Sequence, residues 1–245
     1  MKSILAYPLT LVHYLVFGLL LLVFHPIQWF LLKFVSRSAQ RDSVILLNKC
    51  LTYSLYLIGS RVQFTNRYKR PENVPIIIVS NHQSTYDIPP VYAFMPDYYS
   101  NFVSKMELGK GIPSVSFNLR HGNNVLIDRK DRRQSLSALM AYSARMEKEN
   151  LTVVIFPEGT RSRTDTPKPF RENGLKMLLK KAPSAYVIPM SIESSWRLVE
   201  KGAFPLGVGV KVKMEAHEPI KASSMPFEEL FQQVEQTIGS ALKKA

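Results

Sequence analysis

Apolar and polar positions are segregated along this chain, and their spacing changes twice. Between Lys2 and Lys33 lie 30 residues without a single Asp, Glu, Lys or Arg, rich in Leu, Val and Phe. About 17–25 apolar residues suffice for a bilayer-crossing helix. Pro8 and Pro26 leave 17 residues between them, which sets the lower limit of such a span. A second apolar stretch, residues 43–59, is interrupted only by Lys49. Its pattern predicts an amphipathic helix lying along a membrane or packing on the first. Together they predict a two-helix membrane anchor over residues 1–60. A cleaved signal peptide fits poorly, since no small-residue cleavage pattern follows the run.

From Arg61 to residue 245 the period shifts to that of an α/β domain. VQFTN, NVPIIIVS, SNFVSK, NVLIDR, LTVVIFP, AYVIPMSI and GVGVKVKME read as strands. The β-branched runs before Asn81 and Phe156 suit strands buried on both faces. Residues 131–149 carry apolar positions at helical spacing, with Asp131 as the N-cap. ENGLKMLLKK and FEELFQQVEQTIGSALKK predict two further helices, the second closing the fold. The fold class is therefore α/β, a layered mixed sheet flanked by helices, with the two-helix anchor in front.

Charge sharpens this picture. Lys and Arg number 32 against 19 Asp and Glu, a formal net charge of +13. Residues 105–181 hold +8 of it. Such an excess suits a phosphorylated substrate, an anionic membrane or an acidic carrier protein. The greater positive charge after the apolar run favours a domain on the cytoplasmic side, at the inner face of the cell membrane. The single Cys50 excludes an internal disulfide and a Cys-rich zinc site, and no metal is expected.

Candidate chemistry falls at predicted strand ends, where open α/β sheets place their ligands. Asn81-His82-Gln83-Ser84-Thr85-Tyr86-Asp87 follows the first buried strand. If a turn folds the chain back, Asp87 accepts a hydrogen bond from one imidazole nitrogen of His82. That fixes the tautomer and leaves the other nitrogen as a general base for an alcohol. The bare spacing also arises by chance, and a surface histidine at a turn would explain it equally. FPEGTRSR (156–163) follows the second buried strand. Gly159 permits a tight turn, and Arg161 and Arg163 suit an oxyanion or phosphate. Glu158 and Arg161 also fit a local salt bridge. Lys105 and Arg129 end two further strands, where a solvated surface charge is the plainer reading of either alone.

These blocks together resemble the glycerolipid acyltransferases, and within them the lysophosphatidate (1-acyl-glycerol-3-phosphate) acyltransferase branch. NHQSTYD is similar to their NHxxxxD signature, FPEGTRSR to FPEGTRS, GNNVLIDR to G-x-x-x-I-x-R, and VIPMSI (187–192) to their apolar fourth block. In the third of these pairings Gly122 stands about one position further out than usual. The resemblance covers roughly residues 75–195. It implies transfer of a fatty acyl group from acyl-CoA or acyl carrier protein thioester to the sn-2 hydroxyl of lysophosphatidate, giving phosphatidate, with another lysophospholipid or lyso-lipid as the alternative acceptor. Catalytic roles would fall to His82 and Asp87. Substrate binding would fall to Lys105, Arg129, Glu158, Gly159, Thr160 and Arg161, with the cations on the phosphate. It implies no cofactor beyond the thioester co-substrate, and as partners a lysophospholipid acceptor, the thioester donor and a membrane, with no nucleic acid.

Two rival classes compete. An esterase would need a serine nucleophile. Ser84 stands two residues from His82, poorly placed for a triad, and no G-x-S-x-G elbow is present. A non-catalytic basic module would explain the charge but not the His-Asp pair, and the chain shows no zinc-finger spacing, RNP block or Gly-rich phosphate loop.

Overall fold

A computed structural model describes residues 2–128 and 130–243. Helix α1 (Lys2–Phe30) runs through both Pro8 and Pro26, continues as a wide π-turn over Leu31–Val35, and leads into α2 (Arg37–Tyr53). The prolines bound no shorter helix, contrary to the 17-residue span that the sequence suggests. α1 is polarised in reverse of a soluble helix. Thr10, His13 and Gln28 are fully buried, while Ile4, Leu11, Leu15, Leu19 and Leu22 are exposed. The buried face is docked by hydrogen bonds along its length. Leu206 N donates to Thr10 Oγ1 at 3.0 Å, His13 Nε2 lies 3.1 Å from Tyr86 Oη, and Ser114 Oγ donates to the Leu21 carbonyl at 2.7 Å. An apolar outer face over this length is what lipid, not water, would favour.

Only one helix among the described residues, Ile4–Val35, is long and apolar enough to cross a membrane. The second expected anchor helix begins earlier, at Arg37, and divides its faces. Val44, Ile45, Leu47 and Leu51 are buried, whereas Leu46 and Tyr53 are exposed. Val44 and Ile45 belong to the same buried cluster as the sheet residues Ile76 and Ile78. α2 is thus a layer of the core as well as a neighbour of α1.

The remaining elements are β1 (Arg61–Asn66), β2 (Ile76–Ser80), α3 (Ile88–Phe94), β3 (Asn101–Lys105), α4 (Val115–His121) and β4 (Val125–Ile127). They are followed by α5 (Arg132–Glu149), β5 (Thr152–Ile155), α6 (Asn173–Leu179), β6 (Tyr186–Glu193), β7 (Lys211–Ala216), β8 (Ile220–Lys221) and α7 (Phe227–Lys243). The expected strands and helices form with shifted ends, and Asp131 caps α5 by accepting from Gln134 N. The short helix α4 and strand β8 are additions.

The sheet order is β1-β7-β6-β2-β5-β3-β4, with β8 beside β6. β6, β2, β5, β3 and β4 run parallel, and β7 is antiparallel to β6, so the sheet is mixed. Alternation along β2 divides the core. Ile76 and Ile78 face the cluster containing α2 and α3 residues, while Ile77 and Val79 join Leu139, Leu175 and Leu230 of α5, α6 and α7. Helices on both faces explain why every residue of β2 and β5 is buried.

Candidate active site

Parallel strands bring their carboxyl ends to one edge. Val79 pairs with Ile155, so the segments leaving β2 and β5 emerge side by side. Chain reversal after β2 is fixed by a capping box. Ser84 Oγ accepts from Tyr86 N, and Asp87 returns its carboxylate to the Ser84 backbone. That turn places Asp87 Oδ2 2.8 Å from His82 Nδ1. The pairing that the five-residue spacing predicts therefore forms.

Asp87 is fully buried and saturated with donors. Its Oδ2 accepts from Gln83 N at 2.7 Å and Ser84 N at 2.9 Å, besides the imidazole. Its Oδ1 accepts from Ser84 Oγ at 3.3 Å and from Ser195 Oγ at short range. Five donors on two oxygens hold the carboxylate immobile. With Nδ1 facing a carboxylate, the imidazole proton resides on Nδ1, and Nε2 presents a lone pair. Nε2 makes no hydrogen bond among the described residues, and the side chain keeps 16% of its exposure.

The loop after β5 holds the other side of this histidine. Glu158 Oε1 accepts from His82 N at 2.6 Å, and Ser162 N donates to the His82 carbonyl at 2.8 Å. The Phe156 ring stacks on the imidazole, centroids 4.2 Å apart. Glu158 Oε2 accepts from Lys168 N at 2.8 Å, so both carboxylate oxygens are engaged by backbone. Burial pushes the Glu158 carboxyl above its ordinary range, and the two backbone donors only partly oppose this. The salt bridge between Glu158 and Arg161 that the sequence allows does not form among the described residues.

Gly159 turns the loop with φ +71°, in the left-handed region. Thr160 and Arg161 follow on the exposed rim, where Lys168 Nζ donates to Thr160 Oγ1 at 2.9 Å. Lys105 ends β3, exposed. Phe102 pairs with Val154 and Lys105 with Ile127, so β3 ends at the same carboxyl edge as its parallel neighbours. One strand lies between β3 and β2, which separates Lys105 from the histidine segment by about 10 Å. No hydrogen bond or ion pair joins Lys105 or Arg161 to the His-Asp pair among the described residues. Arg129 lies outside the described residues.

Sequence reasoning missed Ser195, Gln83 and Asn81. Asn81 exchanges two hydrogen bonds with the Ile192 backbone, at 2.7 and 2.8 Å, and Gln83 Oε1 accepts from Ser195 N at 2.9 Å. These contacts tie the histidine turn to the end of β6. Ser195 follows a strand end, which is the one signal that pointed to it. Its separation of 108 residues from Asp87 hid the pairing. Ser84, the rival nucleophile, is fully buried and bonded to Asp87 and Ser195 rather than to the imidazole.

A mixed sheet carrying a buried-carboxylate histidine at its carboxyl edge, with cations on the adjoining loops, defines an α/β protein equipped for proton abstraction. The chain belongs to the Acyltransferase family, whose model matches residues 61–193. It is 25% identical over 155 residues to the mouse 1-acyl-sn-glycerol-3-phosphate acyltransferase alpha, covering 63% of this chain and 54% of that protein. It is 28% identical over 153 residues to the 1-acyl-sn-glycerol-3-phosphate acyltransferase of Borreliella burgdorferi, covering 62% and 59%. The chain spans about half the length of the curated relatives it matches. Its structure resembles that of the 1-acyl-sn-glycerophosphate (LPA) acyltransferase PlsC from Thermotoga maritima, with a TM-score of 0.82 and 26% identity, covering 100% of this chain and 97% of that one.

Proposed function

We propose that this protein transfers a fatty acyl group from a thioester donor to the free sn-2 hydroxyl of 1-acyl-glycerol-3-phosphate, giving phosphatidate. The observation that carries this reading is the imidazole held at Nδ1 by buried Asp87, with Nε2 left open at the carboxyl edge of the sheet. The similarity to bacterial and mammalian proteins named as 1-acyl-sn-glycerol-3-phosphate acyltransferases, and to the Thermotoga structure, supports the choice of acceptor.

In this reading His82 Nε2 takes the proton of the acceptor hydroxyl as its oxygen attacks the thioester carbonyl. Asp87 steadies the imidazolium that forms. The tetrahedral intermediate collapses with cleavage of the C–S bond. A thiol leaves readily as thiolate, since its pKa is about 8.5. No covalent acyl-enzyme is required. Lys105, Arg129 and Arg161 bind the acceptor phosphate, and Gly159 and Thr160 shape the rim of its pocket. Glu158 serves by holding the backbone of His82. The donor is acyl-CoA or acyl carrier protein, and the basic surface suits either. The exposed apolar face of α1 seats the protein on the cytoplasmic side of the membrane, where both acyl chains reside, with residues 61–245 forming the catalytic domain.

The test offers labelled acyl thioester, on CoA and on carrier protein, with a panel of lyso-lipids, and identifies products by mass. Phosphatidate as the main product, lost in His82→Ala, is expected. Turnover retained in folded His82→Ala excludes the proposed base. A preference for a lyso-lipid lacking the phosphomonoester overturns the acceptor assignment.

A further inference from the structure

At the opposite edge of the sheet lies a cavity of about 320 Å³ that the proposed chemistry does not use. It opens between the start of α2, the segment 98–101 before β3, the end of α4, and the α5–β5 turn. Thr152 pairs with Ile76, six residues before His82, which places the cavity about 20 Å from the imidazole along the strand.

Its walls carry Arg37, Arg41, Arg70 and His121. None of the three arginines forms an ion pair among the described residues. Glu149 at the rim pairs instead with Arg145. The Arg41 guanidinium carbon lies 3.6 Å from the Tyr99 ring centroid, and that of Arg70 lies 5.5 Å from the centroid of Tyr98. Arg41 Nη2 donates to Ser38 Oγ at 3.3 Å and Arg37 Nη1 to the His121 carbonyl at 3.4 Å, which orients these guanidinium groups and leaves their other N–H groups to bind. Arg37 and Arg41 also stand in the first turns of α2, where the helix dipole favours an anion and disfavours cations. Local helix energetics therefore do not explain these residues.

The neutral wall is equally unsatisfied. Gln40, Ser100 and Thr152 are 3%, 3% and 2% exposed, and Gln40 Nε2, Ser100 Oγ and Thr152 Oγ1 have no hydrogen-bond partner. Arg70 Nε is buried and unpartnered as well. Buried polar atoms are ordinarily bonded, and leaving one unpaired costs about 1–3 kcal/mol. Here four such atoms belong to residues that line one cavity together with unpaired cations.

We infer that this cavity is a second binding site, for a phosphate group, separate from the candidate active site. Planar guanidinium donors match phosphate oxygens bidentately; the unpartnered hydroxyl and amide atoms lie behind the cavity surface, and a side-chain rotation brings them to a ligand. The site follows directly on the apolar helix that ends at Val35, near exposed Trp29, Phe30 and Phe34 with Lys33 over the Trp29 ring. Aromatic and lysine side chains of this kind mark the headgroup level of a membrane. The phosphodiester of an anionic lipid and free inorganic phosphate share the required chemistry.

The test is hydrogen exchange of the full-length protein in neutral detergent, read at residues 37–45, 98–101 and 118–123. One arm adds inorganic phosphate, a second adds phosphatidylglycerol to the micelles, and a control adds chloride at equal ionic strength. Protection by phosphate or phosphatidylglycerol above the control is expected, and the arm that produces it identifies the source. Arg41→Gln/Arg70→Gln should weaken apparent affinity at least tenfold, and Ser100→Ala by about threefold. Unchanged exchange at β2 and β5 shows that the variants are folded. If neither phosphate compound protects these segments beyond chloride, or if both folded variants are protected like the parent, the site does not exist.

Discussion

Asp87→Asn separates orientation from electrostatics at the histidine. The Oδ2 position accepts from two backbone N–H groups, of Gln83 and Ser84, which cannot become acceptors. The amide carbonyl must therefore occupy that position and still accept from His82 Nδ1. The new NH2 falls beside Ser84 Oγ and Ser195 Oγ, and both hydroxyls can rotate to accept. Fold and tautomer survive, and only the negative charge is lost. A unit pair about 4 Å apart at an effective dielectric near 20 interacts by about 4 kcal/mol. If half the proton charge has reached the imidazole in the transition state, about 2 kcal/mol of stabilisation disappears. At 1.36 kcal/mol per decade that is roughly a 30-fold fall in kcat, rising to about 10³ for complete transfer. Thiol release from acyl-CoA at saturating lysophosphatidate measures it, with acceptor KM within about threefold and the melting temperature near the parent's. Asp87→Ala, by contrast, strands two backbone N–H groups and should lose about 2–6 kcal/mol of stability. A kcat within threefold of the parent in Asp87→Asn refutes the argument that this carboxylate stabilises a developing imidazolium.

Four further variants probe the same site. Ser195→Ala removes one donor from a saturated carboxylate and should lower kcat by only about three- to tenfold, a hydrogen bond's net worth of about 1 kcal/mol; a thousandfold loss in steady-state turnover would assign Ser195 a direct role. Arg161→Ala should raise acceptor KM about 10- to 100-fold, the range of a charged hydrogen bond, while donor KM stays put in separate titrations. In Glu158→Gln one of the two backbone N–H groups must face an amide NH2, so chemical unfolding should show a loss of about 1–3 kcal/mol. The parent's Glu158 has its folded pKa raised above 4.5, so the folded chain retains a proton that the unfolded chain releases; stability then falls as pH rises from about 4.5 to the raised value, and the Gln variant should lack that slope. Gly159→Ala meets only Arg171 Nη1, 3.8 Å from the new Cβ, so its cost is backbone strain of about 1–2 kcal/mol, read as a shift in thermal midpoint.

Much of this protein was legible along the chain. Period-two and uniformly apolar runs located the strands, because side-chain alternation and two-sided burial are local consequences of the pleat. Asp131 announced α5, since a cap and its amide are three residues apart. The His82–Asp87 contact was legible for the same reason, closed by a capping box within one turn. The apolar run between Lys2 and Lys33 announced a long apolar helix, because an uninterrupted run of this length is itself a local signal.

Only tertiary structure decided how those pieces cooperate. Strand order put the loops after β2 and β5 side by side, and only then does Glu158 reveal itself as a clamp on the His82 backbone. Ser195 reached Asp87 across 108 residues, and Arg70, Ser100 and Thr152 converged with the start of α2 around one cavity. Hydropathy could not tell that α2 would turn Val44 and Ile45 into the sheet's own core while α1 kept its leucines outward. Periodicity records which face of a segment is apolar. Which other face, or which lipid, covers it is settled by long-range packing, whose partners are not encoded in any local window.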